Sequence, residues 1–90
     1  MATDPGSEPG LQFPLDWHGK VLAQADVADI PDRIGEVMRA LGLVATTTPG
    51  NRSAQGRYLT YTVQAVIPDR ATLQQVAYAL SRIAGVRYVF

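Results

Sequence analysis

The sequence has no cysteine, and His18 is its only histidine. Disulfides are therefore excluded, as is a structural metal site built from Cys and His, so the fold must rest on packing and self-association. The same absence suits a reducing compartment and points to the cytoplasm. No apolar run approaches the length that crosses a bilayer, and no membrane partner is expected. The opening MATDPGSEPG, with two acids, two prolines and two glycines, lacks the basic and apolar regions of a secretory signal. An excess of charge is missing too, since eight Lys and Arg balance eight Asp and Glu. That removes the basic footprint of nucleic-acid binding.

What is present is enough for one small domain. Ninety residues lie near the lower end of what a single core can hold together. Residues 1–12 have almost nothing to bury and are expected to form a mobile tail, leaving 13–90 as the domain. The charges are unevenly placed. Residues 1–36 carry seven acids against Lys20 and Arg33, and 37–90 carry six arginines against Asp69, so the halves hold −5 and +5. Mutual neutralisation on folding is the expected outcome.

Residues 18–25 read as a first strand, with Trp17 just before it in the parity of Val21 and Ala23. Asp29 then offers an N-cap, and Ile30, Ile34, Val37, Met38 and Leu41 form a helical stripe that Gly42 closes. Gly35, inside that helix, is expected to allow a neighbouring backbone close. LVATTT, residues 43–48, reads as a second strand, and PGNRSAQG as a long, mobile hairpin loop. In RYLTYTVQAVI, Leu59, Tyr61, Val63, Ala65 and Ile67 share one face, and Tyr58, Thr60, Thr62 and Gln64 the other. A second helix starts at Asp69 or at Thr72 and carries Leu73, Val76, Ala77, Leu80, Ile83 and Ala84. Gly85 stops it, and VRYVF is a fourth strand.

The order β, α, β, β, α, β predicts an α+β, ferredoxin-like fold: a four-stranded antiparallel sheet with two helices on one face and the first and third strands central. Phe13-Pro14, Trp17, the strand Lys20 to Gln24, GRYLTYTV and LSRIAGVRYVF resemble the YbeD-like family of small bacterial proteins over residues 13–90. The resemblance implies an ACT-like module, of the kind that senses metabolites and regulates enzymes, often as a dimer. It also implies a protein partner among the lipoate-pathway enzymes. Two features depart from the family's pattern: a longer, more acidic ADVADIPD, and Gly19 where an aromatic is usual. Residues 20–34 contain no glycine, so the turn through which ligand-binding ACT domains approach an amino acid is missing.

Catalytic candidates are few. Asp16 and His18, two apart on a strand, share a face and with an arginine would make the alternative, a small enzyme. ADVADIPD, acidic and without glycine, cannot cradle phosphate as the acylphosphatase turn does, and Arg33 is expected to pair with Asp29 or Glu36. Tyr58 and Tyr61 point to opposite faces, which leaves one ring of that strand for base stacking. The open face, by alternation, presents Lys20, Leu22, Gln24, Tyr58, Thr60, Thr62, Gln64, Arg87 and Val89. Lys20, Gln24, Tyr58, Thr60, Thr62, Gln64 and Arg87 are the expected ligand or partner contacts, with Trp17 and His18 as a partner anchor; Trp17 equally serves as a lid on the core. No cofactor or metal is expected. Both edge strands lack internal proline and only Arg87 guards them, so a homodimer is expected through an edge or the open face. The sequence thus predicts a non-enzymatic module that binds a protein partner or a small metabolite and modulates another protein.

Overall fold

The computed structural model describes residues 12–90; the expected tail therefore lies, but for Gln12, outside the described residues. Six elements follow in order: β1 (Leu15–Gln24), α1 (Ile30–Ala40), β2 (Ala45–Arg52), β3 (Tyr58–Ile67), α2 (Arg70–Ser81) and β4 (Val86–Val89). The sheet runs β2-β3-β1-β4, antiparallel throughout. This is the expected ferredoxin-like α+β fold. Among the described residues, no helix is long and apolar enough to cross a membrane.

The core lies between the helices and one sheet face. Val21 and Ala23 from β1 and Tyr61, Val63, Ala65 and Ile67 from β3 meet Ile30, Ile34 and Met38 of α1 and Val76 and Leu80 of α2. Each was placed inward by its period, 2 on the strands and 3.6 on the helices.

Several boundaries differ from expectation for identifiable reasons. β1 starts at Leu15 rather than His18, because Leu15 and Trp17 continue the inward parity and pair with Ile67 and Ala65. β2 runs on to Arg52 through Pro49 and Gly50, which read as loop. An edge strand tolerates a proline, and the register shifts between Pro49 and Arg52. The long hairpin loop therefore shrinks to Ser53–Arg57. Asp29 precedes α1 but makes no capping bond; its carboxylate instead accepts from Arg33 Nε at 3.0 Å. Asp69, not Thr72, caps α2, accepting from the Thr72 amide at 2.8 Å. Gly42 follows the Leu41 cap of α1 in the left-handed region, at φ 76°. α2 instead ends at Ser81 with Arg82 as its cap, short of the Ile83, Ala84 and Gly85 expected to complete it, and Gly85, at φ 96°, turns the chain into β4.

Gly35 is a correction. A Cβ there would meet only Arg39 Nη1, at 3.9 Å, so no neighbouring backbone needs the space. Gly19 is the glycine whose small size is used. A Cβ there would fall inside the Trp17 indole, on Cζ2 and Cη2 and 2.7 Å from Cε2. The aromatic mass absent at position 19 is supplied from position 17, two residues along the same face.

Candidate functional site

The face of the sheet turned away from the helices is built by the outward parity of β1 and β3. Asp16, His18, Lys20, Leu22 and Gln24 stand opposite Val66, Gln64, Thr62, Thr60 and Tyr58. Thr46 and Thr48 extend two of these rows onto β2. Lys20 Nζ donates to Thr62 Oγ1 at 2.8 Å, which fixes the ammonium at the centre of the face. Lys20, Gln24, Tyr58, Thr60, Thr62 and Gln64 are thus brought together as expected.

The β4 side differs. Lys20 and Phe90 exchange two backbone hydrogen bonds, at 2.6 and 2.8 Å, and Leu22 stands opposite Tyr88. Tyr88 and Phe90 therefore project onto the open face and are 63% and 69% exposed. Ala23 then pairs with Val86, so one extra residue, Arg87, is accommodated as a bulge. The bulge re-aims Arg87 over the Tyr58 ring, 5.9 Å from its centroid. It also inverts the expected parity: Val89 packs with the core and does not belong to the open face.

Trp17 packs against the core and His18 is exposed on the open side, so the two part company. The anchor role expected of Trp17 is not supported by its position, and the lid role is. His18 Nε2 lies 3.4 Å from Asp16 Oδ2, both side chains more than half exposed. Among the described residues neither forms an ion pair with an arginine.

Among the described residues no ion pair joins the two halves: the pairs are His18–Asp16 and Arg33–Asp29, both within the acidic half. Arg33 is held above its ordinary value by the hydrogen bond and charge of Asp29, with Glu36 adding to it. Three arginines of the second half lie over aromatic rings: Arg70 over Phe13, Arg82 over Tyr78 and Arg87 over Tyr58. The open face is left with Lys20 and Arg87 and with Asp16 at one end.

Enclosed space is scarce. A groove of about 340 Å³ runs between the helices, along Val27, Asp29, Arg33, Val37, Arg82 and Ile83. Another, of about 300 Å³, adjoins the open face at Gln24, Asp26, Gly56, Arg57 and Tyr58. Among the described residues no three His, Asp or Glu side chains converge to hold a metal.

A family model described as "Protein of unknown function (DUF493)" matches residues 8–90, the span that includes the sequence resemblance. Protein HP0495 from H. pylori, solved in solution, superposes with a TM-score of 0.77 at 12% identity, covering 100% of this chain and 98% of that one. At that identity the likeness is one of fold. No curated protein matches the chain.

Proposed function

From the premise that the chain belongs to the DUF493 family of proteins of unknown function, we propose that it is a non-enzymatic interaction module that engages a protein partner through its open sheet face and so modulates that partner. One observation carries the reading: Leu22, Tyr58, Tyr88 and Phe90 sit together on a face whose other side chains are threonines, glutamines, Lys20 and Arg87, with Asp16, His18 and Val66 at one end. An apolar centre with a polar, hydrogen-bonding surround is the anatomy of a protein interface, in which aromatic and arginine side chains carry most of the binding energy. The cations favour an acidic partner surface. Lipoate-pathway enzymes are the first partners to try.

A small metabolite is the less favoured occupant, since ligand sites are concave and the grooves beside Tyr58 are shallow and open. Catalysis is less favoured again, because the Asp16–His18 pair is exposed and, among the described residues, forms no ion pair with an arginine.

The test is capture from lysate by the wild type and by Lys20→Glu/Arg87→Glu, beside a nitrogen-labelled NMR titration with lipoate, octanoate, amino acids, nucleotides and phosphate. A protein held by the wild type and lost by the variant supports the reading. Shifts at Lys20, Gln24, Thr62 and Arg87 with a small molecule would replace it with a metabolite sensor.

A further inference from the structure

The two edges of the sheet are protected very differently. β2 carries Pro49, a register shift and Arg52, each of which spoils pairing with another strand. β4 has no proline, and its one charge, Arg87, is turned by the bulge onto Tyr58 and away from the edge. The guard expected from the sequence is therefore withdrawn. Among the described residues β4 pairs with β1 alone, at the margin of the sheet.

The ladder defines what that edge presents. Lys20 and Phe90 form a hydrogen-bonded pair, so the next pair, Val21 and Val89, is of the non-bonded kind. The Val89 N–H and C=O then point out of the sheet, with Tyr88 and Phe90 flanking them on the open face.

We propose that β4 is the self-association edge, pairing antiparallel with β4 of a second copy about a two-fold axis through Val89. This takes Tyr88 and Phe90 from the partner face described above into the dimer seam, leaving Leu22, Tyr58 and the two cations to that face, and it stands whether or not a partner binds there. The register follows from two requirements. Outward-facing groups must meet outward-facing groups, which sets Val89 opposite Val89 of the second copy with two reciprocal hydrogen bonds. Side chains must also share a face, which sets Tyr88 opposite Phe90 of the second copy, and Phe90 opposite its Tyr88. Both are non-bonded positions, where side chains approach most closely.

A two-fold axis makes such an edge self-complementary, and a chain with zero net charge brings no overall repulsion to a copy of itself. The area is of the right order. Aromatic side chains bury about 150–250 Å² each, and these two are 63% and 69% exposed. Four rings therefore offer roughly 400–650 Å², about half of the roughly 1,000 Å² a specific interface needs, before the strand edges are counted. The product is one eight-stranded sheet, with helices on one side and two open faces joined across the axis.

The test is sedimentation equilibrium of the wild type, Tyr88→Lys/Phe90→Lys and Tyr88→Lys/Phe90→Glu, with amide exchange at Val89. The expected results are a dimer for the wild type, a folded monomer for the double lysine variant, and a dimer again where lysine faces glutamate. In the wild type the Val89 amide, without an acceptor in its own ladder, is expected to exchange slowly. A monomeric wild type at NMR concentration, a dimer that survives the two lysines, or a freely exchanging Val89 amide in a dimer would each overturn the proposal. The exchange measurement decides even if a variant fails to fold. Loss of partner capture by Lys20→Glu/Arg87→Glu without a change of mass bears on the partner face alone.

Discussion

Substituting alanine for Gly19 should cost stability only because Trp17 is there. The added methyl falls within the indole, and the neighbouring ring carbon Cε2 is 2.7 Å away, where carbon atoms prefer about 3.5–4.0 Å. The ring must move by about 1 Å or more, off the core edge it covers. Forced repacking of this kind costs about 1–3 kcal/mol, and in a domain of this size each kcal/mol lowers the melting midpoint by about 4–8 °C. Trp17 is the only tryptophan, so its fluorescence reports the displacement directly. The decisive comparison uses a Trp17→Ala background. With the indole gone the three closest contacts of the methyl go with it, and alanine is favoured over glycine in a strand by about 0.5–1 kcal/mol. Gly19→Ala should then change sign, from destabilising to stabilising, in urea titrations of the four proteins. Equal effects in both backgrounds, or an unshifted emission spectrum in the single variant, would refute the packing argument.

Gly35→Ala should stabilise by about 1 kcal/mol, the difference in helix propensity, because the site is open and its φ is not positive. The check is a urea midpoint that rises with an unchanged slope. Asp69→Ala should lower the melting midpoint at neutral pH by removing the cap of α2. The Asp69 carboxyl is held below its ordinary value by the hydrogen bonds from Thr72. Its folded-state value is thus the depressed one, so its contribution is present above about 3.8 and lost as pH falls through the native value. The gap between wild type and Asp69→Ala should therefore narrow in acid, while Asp69→Asn, which caps without titrating, should show no such narrowing.

Most of the architecture was legible because period and punctuation agree. The alternation in β3 named its buried face residue by residue, and Gly42 marked the end of α1, whereas α2 stops at Ser81, ahead of Gly85. The open face was legible wherever simple parity holds, from Lys20 with Thr62 to Gln24 with Tyr58. It failed at β4, because counting by twos cannot see an extra residue. The signal was present in the spacing of Val86 and Val89: two core valines three apart in a strand require a bulge between them. That bulge brought Tyr88 and Phe90 into the site and removed Val89. Pro49 and Gly50 misled for a different reason. Their turn preference is local, whereas an edge position beside β3 is a tertiary fact that overrides it.

The position of β1 between β3 and β4 also fixes an order of assembly. Even the nearest central pair, Gln24 with Tyr58, closes a loop that contains all of α1 and β2. The β2–β3 hairpin has the short connection and can form early, whereas β1 must cross that loop-closure barrier before β4 has anything to join. During synthesis the first strand made waits for both of its neighbours, and an unpaired Leu15–Gln24 is exposed to other chains for as long as it waits. β4 makes the shortest ladder of the sheet and so is the strand held by least on opening. A second copy clasping Val89 would hold closed the place where this sheet comes apart.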